Sequence, residues 1–347
     1  MSDDTGTAAE PAGSPSTETA DPPSTRQTVF DRITKRRELG VFIAFVVLFG
    51  LIAVTRPDVF FDWSAMSGIM SRLLHQVAPF FLVGIGMTYL IIGGEFDLSV
   101  GSMFAVGGLL FATIANEYAI SAVVAMALVL VFNVGVGATN GLLTTKIGVP
   151  SPITTIGMLS ILRGIAFFLT PGGSLNAPDS ALTVVLDGTQ MIAGVRVSNQ
   201  VFYALVLLIL FGAILQHTRF GHHVYATGDS EESARKTGIN TDRVKITGFV
   251  LSAVLAALAG MMAVSQFGSM FGSAGRQHEL SIIAAVIVGG TDLFGGEGTI
   301  TGTFLGTFVI GIIPVLLLLN GLAIEIQELL TGAVIILTVI LDLYIRR

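Results

Sequence analysis

The feature that most constrains this chain is a series of long segments without charged residues. Residues 73–94 contain no Asp, Glu, Lys or Arg. Glu95 and Asp97 follow, and residues 98–116 are again free of these four residue types. A membrane-spanning helix needs roughly 20 predominantly apolar residues. Only 12% of the residues are charged, whereas about 25% is usual in soluble domains. The sequence therefore predicts an all-α polytopic membrane protein.

The apolar segments predict about ten transmembrane helices, some of them broken or short. These segments lie at 39–55, 73–92, 98–116, 120–145, 152–170, 197–216, 246–266, 279–290, 298–320 and 324–345. Basic residues in short loops mark the cytoplasmic side of a membrane protein. With ten spans, the basic clusters before the first segment, after the fourth, after the sixth and at the end of the chain fall on one side. We therefore expect a multi-pass protein of the plasma (inner) membrane with both termini cytoplasmic.

The chain divides into two parts of very different composition. Residues 1–37 are predicted to form a disordered acidic tail that ends in a basic juxtamembrane segment. The first 25 residues contain acids but no bases and few large apolar side chains, so they cannot bury enough surface to offset the entropy of ordering. Residues 38–347 form the predicted transmembrane domain, whose most hydrophilic internal loop spans residues 216–245.

Several function classes lack the residues they need. The chain has no cysteine, and it has no excess of basic over acidic residues, so thiol chemistry and nucleic-acid binding are not expected. No G-x-x-x-x-G-K-[ST] motif is present to hold nucleotide phosphates. We expect no catalytic residues, no metal site and no cofactor bound by the chain itself, and hence a protein that is not an enzyme.

Two short motifs resemble each other and predict a weak internal repeat. GGEFDLSVGS at 93–102 and GGTDLFGGEG at 289–298 each place an Asp-Leu pair after two glycines, and an apolar segment follows each motif. Transporters are often built from repeated parts whose broken helices meet near the substrate path. Because both motifs fall on the cytoplasmic side, the repeat would be parallel. The candidate path or hinge residues are Gly94, Asp97, Ser99, Gly290 and Asp292.

The fourth apolar segment contributes two further candidates. Asn133 and Asn140 share one helix face with Gly137, since side chains three and four residues apart lie on the same side of a helix. Asparagines on such a face either line a polar translocation path or bond a neighbouring helix. Both interpretations stay open for Asn133 and Asn140.

The polar segment at 171–200 is too long for an ordinary connection between helices. We expect a short structured cap on the external side. It serves either as a docking surface for an external partner or as a simple linker.

The hydrophilic loop at 216–245 contains a short predicted helix in SEESARKTG. Glu231 and Glu232 precede Arg235 and Lys236 by four residues, an order that supports a helix. Gly238 permits the left-handed conformation that commonly ends a helix. A short cytoplasmic helix between two spans suits contact with a soluble partner. The alternative interpretation is a solvated loop helix without a partner.

Four separated motifs, in order, resemble the permease subunits of ribose- and xylose-type ABC importers. They are GGEFDLSVGS, NGLLTTKIGVPSPITTIGMLSILRGIAF, TRFGHHVYATGDSEESARKTGINTDRVK and AAVIVGGTDLFGGEGTITGTFLG. The resemblance covers roughly residues 40–345 and makes 38–347 a permease domain with 216–245 as its cytoplasmic coupling loop. The chain departs from the usual family pattern at His222, Asp229 and Ser233, which lie on the coupling surface.

The resemblance implies a set of partners and roles. The partners would be an ABC ATPase subunit that binds the ATP, an extracytoplasmic sugar-binding protein, and a second permease copy in a homodimer or heterodimer, all within membrane lipid. The cargo would be a monosaccharide (ribose- or xylose-like) or a related polyol. The residues of the ATPase-coupling loop would be Glu231, Glu232, Ala234 and Gly238.

The carboxyl of Asp97 has two interpretations. In the alternative function, an ion-coupled secondary transporter, Asp97 or Asp292 would bind the coupling ion. As a structural residue, Asp97 is expected to cap the N-terminus of the helix that follows it, where the helix dipole stabilises negative charge.

Overall fold

The computed structural model describes residues 37–323, 326–330, 332, 333 and 336. The predicted acidic tail, the first basic cluster up to Arg36, most of the tenth apolar segment and the basic residues at the end of the chain lie outside these residues. The description below begins at Arg37.

Helices account for most of the described chain, and the longer ones fall on predicted apolar segments, whereas four shorter ones lie between those segments. They are α1 (Arg37–Thr55), α2 (Pro57–Phe60), α3 (Trp63–Ile92), α4 (Val100–Asn116), α5 (Ala122–Leu142), α6 (Ser151–Leu169), α7 (Ala181–Asp187), α8 (Asn199–His217), α9 (Arg219–Asp229), α10 (Glu231–Lys236), α11 (Thr241–Phe267), α12 (His278–Val288) and α13 (Ile300–Leu319). A π-helical turn at Leu143–Ile147 extends α5.

Six of the described helices are long and apolar enough to cross a membrane: α3, α5 with its π turn, α6, α8, α11 and α13. Shorter apolar helices are Gly40–Thr55, Val100–Asn116 and His278–Val288. The protein is therefore an all-α polytopic membrane protein. Segment 279–290, predicted to be short, forms the 11-residue α12.

Burial separates the long helices into an inner and an outer layer. The most apolar windows of α3, α11 and α13 are 83%, 67% and 61% buried, whereas those of α5, α6 and α8 are 28%, 22% and 17% buried. The exposed faces of the outer helices carry large apolar side chains such as Val131, Phe168 and Ile209. These faces suit contact with lipid, whereas the inner helices α3, α11 and α13 form the packed centre of the bundle.

Small residues allow the inner helices to pack closely. A Cβ added at Gly302 or Gly306 of α13 would overlap backbone oxygens of Gly289 and Ala285 at the end of α12. Glycine at such positions lets two helix backbones approach each other, which stabilises helix pairs in a membrane. The hairpin of α12 and α13 therefore behaves as one packed unit.

The polar segment at 171–200 is structured, as expected. Strand β1 (Ser174–Asn176) pairs antiparallel with β4 (Ser269–Phe271), and β2 (Thr189–Ile192) pairs antiparallel with β3 (Val195–Ser198). Helix α7 follows β1 and precedes β2 in the chain, and its N-cap Ser180 accepts a hydrogen bond from Thr183 N. The segment thus covers one end of the bundle, opposite the end that carries α10.

Arg163 lies inside α6, where an unpaired charge in a membrane would be costly. Its Nη1 donates to the carbonyl oxygens of Gly272 at 3.0 Å and Ala274 at 2.5 Å. The guanidinium therefore holds the turn that follows β4.

Candidate coupling site

The two glycine motifs have the same local structure. The nitrogens of Gly94 and Gly290 donate to the carbonyl oxygens three residues earlier, at 2.9 and 2.8 Å, and the next residue in each motif donates five residues back. Both glycines have positive φ, +79° and +89°. This is the pattern of a Schellman helix end, which favours glycine at its left-handed position. The repeat predicted from sequence therefore has a structural counterpart at the ends of α3 and α12.

A second shared feature is the turn that follows each helix end. Oδ1 of Asp97 accepts from Ser99 N at 2.9 Å, and Oδ1 of Asp292 accepts from Phe294 N at 2.7 Å. Each carboxyl thus closes an Asx turn over two residues. The loops then diverge, because α4 begins three residues after Asp97 whereas α13 begins eight residues after Asp292.

The prediction that Asp97 caps α4 is wrong. The N-cap position is occupied by Ser99, which makes no side-chain capping bond. Asp97 stands two residues earlier and fixes the approach to the helix instead. The sequence pattern misplaced the cap because Asp-x-Ser fits an Asx turn and a cap equally well.

A buried polar cluster surrounds Asp97. Its carboxyl also accepts from the Ser99 hydroxyl, and that hydroxyl accepts from Asn140 Nδ2 at 3.1 Å. The Ser252 hydroxyl lies beside the same carboxyl. Asn133 is equally buried, but its Nδ2 donates to the Val129 oxygen of its own helix at 2.9 Å. The structure thus joins Asn140 to the first glycine motif and leaves Asn133 apart from it.

Helix α9 lies across both glycine motifs. The Tyr225 hydroxyl donates to the Gly298 carbonyl oxygen at 2.7 Å. A Cβ added at Gly228 would overlap the Ile92 carbonyl oxygen and approach Gly296 N to 2.6 Å. Gly296 N itself donates to Ile92 O at 2.9 Å. The C-terminal end of α3, the second glycine motif and the first helix of the 216–245 loop therefore meet at backbone contact distance.

The predicted helix in the 216–245 loop is α10. Glu231 and Glu232 pair with Arg235 at 2.9 Å and Lys236 at 2.7 Å, both four residues later. Gly238, with a φ of +89°, follows the last turn and ends the helix as predicted.

The four predicted coupling residues face different surroundings. The side chain of Glu232 is 81% exposed, and Gly238 is exposed as well. Ala234 is buried against the body of the protein. Glu231 points inward, toward α11. The helix therefore offers one face to solvent and anchors the other to the bundle.

Lys245 of α11 connects α10 to the first glycine motif. Its Nζ lies 2.7 Å from Glu231 Oε2 and 2.7 Å from Glu95 Oε1. The Glu231 carboxyl also accepts from Thr241 Oγ1 at 3.2 Å. Burial alone would raise the pKa of Glu231, but hydrogen bonds from Lys245 and Arg235 outweigh it and lower that pKa from 4.5 to about 2. The carboxyl is therefore ionised at neutral pH and holds both cations.

A second acidic group ties α10 to the end of α5. Asp242 accepts from Arg235 at 2.5 Å and from Lys146 at 2.6 Å. Lys146 lies in the π-helical turn after α5. Charged contacts therefore join α10 to α11 and to the turn after α5.

Sequence reasoning missed Glu95 and Lys245 as partners. Glu95 was visible as a carboxylate between two apolar segments, and Lys245 as one of the bases that mark the cytoplasmic side. An isolated carboxylate at a span boundary commonly needs a cation. Which cation pairs with Glu95 depends on how the helices pack. Lys245 lies 150 residues further along the chain, so the sequence alone does not identify it as the partner.

Comparison with known proteins identifies the family. The profile of a permease component of branched-chain amino acid transport systems matches residues 69–339. The ribose import permease of Escherichia coli (strain K12) is 32% identical over 322 residues, which cover 92% of this chain and 98% of the relative. The fructose import permease of Rhizobium meliloti is 32% identical over 288 residues, 80% of this chain and 78% of the relative.

A relative with a differently named cargo is similar over the same region. The autoinducer 2 import system permease of Photorhabdus luminescens is 30% identical over 311 residues, 89% of this chain and 91% of the relative. No solved structure gives a significant match to the chain. The chain therefore belongs to the family of ABC importer permeases that includes the ribose import permeases.

Proposed function

We propose that this chain is the membrane-spanning subunit that imports a monosaccharide, ribose- or xylose-like, or a related polyol. Relatives that share about a third of its residues over most of its length are named for import of ribose, fructose and autoinducer 2. The family profile takes its name from branched-chain amino acids, so the sugar class rests on the individual relatives.

The proposal includes partners that the chain does not contain. An ABC ATPase subunit binds the ATP and docks on the exposed face of α10. A second permease copy completes the path, and an extracytoplasmic sugar-binding protein delivers the cargo to the end covered by residues 171–200. Both termini lie in the cytoplasm, and the complex resides in the plasma (inner) membrane.

One observation supports the coupling role most directly. Lys245 contacts Glu231 of α10 and Glu95 of the first glycine motif with the same nitrogen. When the ATPase moves α10, this buried contact carries the movement to the helix end at Gly94. Asp97 and Asp292 hold Asx turns in this arrangement, which gives both carboxyls a structural duty without a coupling ion.

The test reconstitutes the chain in lipid vesicles with and without its ATPase and binding protein. An ABC importer takes up labelled ribose or xylose only when ATP and both partners are present. Uptake by the chain alone, driven by a proton or sodium gradient, would overturn the proposal and favour the secondary transporter.

A further inference from the structure

A cavity of about 710 Å³ lies in the half of the bundle that is distant from α10. The first half of α3, the end of α11, the start of α12 and strand β3 contribute to its lining. We call it the distal cavity. His75 in its wall stands 17 residues before Ile92, the last residue of α3, which is roughly 25 Å of helix at 1.5 Å per residue. Its volume lies within the range of roughly 300–1,000 Å³ that is usual for small-molecule sites.

One wall of the distal cavity presents a preset hydrogen-bond acceptor. His75 Nδ1 lies 2.7 Å from the Ser71 carbonyl oxygen. Because a carbonyl only accepts, this contact places the proton on Nδ1 and leaves Nε2 of the neutral ring as an acceptor. Gln76 and Ser281, which also line the cavity, add groups that both donate and accept. These groups match hydroxyls, which also do both.

Another part of the lining combines aromatic rings with buried polar atoms. The His278 ring packs edge-on against Phe80 and Phe104, with ring centroids 5.7 and 5.0 Å away. His278 Nδ1 and Gln266 Oε1 are buried and, within the described part of the chain, make no hydrogen bond. Both side chains line the cavity. If either side chain turns toward a hydroxyl of a guest molecule, its buried polar atom gains a hydrogen bond and its desolvation is offset.

Three of the described residues that line the distal cavity are charged, namely Arg72, Asp187 and Arg196. Arg72 and Arg196 are exposed. Asp187 already accepts from Gln200 Nε2 at 3.2 Å and from Ser198 Oγ at 3.4 Å. The rest of the described lining contains no Asp, Glu, Lys or Arg, and it suits a guest that carries hydroxyls rather than a net charge.

We infer that the distal cavity binds a neutral polyhydroxylated molecule of monosaccharide size. Its hydroxyls bond His75, Gln266 and His278, and its apolar face packs on Phe80 and Phe104. The inference rests on the proposed function for the identity of the cargo, and it assigns that cargo a site that is separate from both glycine motifs.

The absence of native cysteine allows a direct test on the full-length protein. Ser281→Cys and Gln76→Cys each place one thiol in the cavity wall, and Ser273→Cys places one on an exposed turn outside it. Inverted and right-side-out vesicles are treated with a membrane-impermeant thiol reagent, with and without ribose, xylose, fructose or leucine. At a sugar concentration ten times its Kd, mass action predicts about tenfold slower labelling of the cavity thiols. Ser273→Cys is expected to react at the same rate throughout.

Three outcomes would overturn the inference. The first is that neither cavity thiol reacts with the reagent from the external side. The second is that both thiols react but no sugar slows the reaction. The third is that leucine protects the thiols and the sugars do not. Ser281→Cys and Gln76→Cys lie on different helices, so misfolding of one variant still leaves the other as a test.

A transport assay separates this inference from the proposed function. Gln266→Leu is expected to raise the sugar concentration for half-maximal uptake about tenfold, the effect of losing one good hydrogen bond to the cargo. Ser265→Ala is the matched control, because Ser265 bonds its own helix at Met261 O. Normal sugar uptake by Gln266→Leu together with unprotected thiols refutes the cavity site and leaves the importer intact. Failure of the unaltered complex to import any sugar refutes the proposed function.

Discussion

Lys245 Nζ lies 2.7 Å from Glu95 Oε1, and the two side chains are only 12% and 11% exposed. Glu95 belongs to the loop that breaks the chain between α3 and α4, whereas Lys245 stands near the start of α11. The same nitrogen reaches Glu231 in α10. Breaking a buried ion pair by removing one partner costs about 3–5 kcal/mol, because the other charge is left uncompensated. Loss of Lys245 would therefore be costly, and the contact joins α10 to the first glycine motif.

Glu231→Gln is expected to lower the unfolding temperature of the purified chain at neutral pH. Despite burial, which acts in the opposite direction, Lys245 and Arg235 lower the pKa of this carboxyl to about 2. A group with a lowered pKa in the folded state stabilises the fold above its unfolded pKa, and this stabilisation is lost as the pH falls through its folded pKa. The difference in unfolding temperature between wild type and variant should stay constant at pH values above the ordinary glutamate pKa of 4.5 and shrink toward pH 2.

Glu232→Gln is the matched control for that experiment. Its carboxyl belongs to the same helix, but its side chain and that of Lys236 are 81% and 74% exposed. Exposed pairs of this kind contribute little, about 0.3–0.5 kcal/mol. An equal loss of stability in both variants, measured by thermal unfolding across the pH range, would contradict the role given to Glu231.

Gly228→Ala is expected to destabilise the fold and to impair transport. The added methyl overlaps the Ile92 carbonyl oxygen, which is backbone and cannot turn aside. Overpacking of this kind typically costs about 1–3 kcal/mol. Gly212→Ala in α8 is the control, because nothing lies within 4 Å of the added atom. Thermal unfolding in detergent should separate the two variants, and equal stability would show that α9 is not seated on α3 as described.

Asp97→Asn distinguishes the ABC importer from the ion-coupled transporter. The amide oxygen still accepts from Ser99 N, so the Asx turn survives while the charge is lost. We expect ATP-driven uptake to remain within about threefold of wild type, less than the tenfold that corresponds to 1.4 kcal/mol. Asp97→Ala removes the acceptor and should reduce uptake more than Asp97→Asn does. Loss of uptake in the asparagine variant, at normal insertion, would instead assign the carboxylate a charge-dependent role.

Periodicity and turn chemistry predicted much of the architecture. The uncharged segments located α3, α4, α5 and α11 because lipid and a packed core both exclude charge. The segment at 73–92 fell short of α3, which begins at Trp63, because Arg72 interrupts its first half. Gly94 and Gly290 were predicted to break helices, since only a residue without a Cβ readily adopts their positive φ.

The contacts of the candidate coupling site could not be predicted, because they depend on how the helices pack. The Lys245 contact joins residues from three separate segments, and the cap at α4 depended on where the helix begins. Helix α9 was missed because RFGHHVYATGD is polar overall and contains two glycines, so its composition resembles that of a loop. The lining of the distal cavity likewise comes from elements that are far apart in the chain, so His75, Gln266 and His278 attracted no attention individually.

The central claim, that Lys245 carries movement from the ATPase to the glycine motif, is tested most directly by ATP hydrolysis in the reconstituted complex. Lys245→Ala should retain basal hydrolysis but lose its stimulation by sugar-loaded binding protein and lose uptake by about tenfold or more. Lys245→Arg should restore part of both, because it keeps the charge. Lys236→Ala, which removes an exposed lysine from the same loop, should behave as wild type. Full sugar stimulation and uptake in correctly inserted Lys245→Ala would contradict the account.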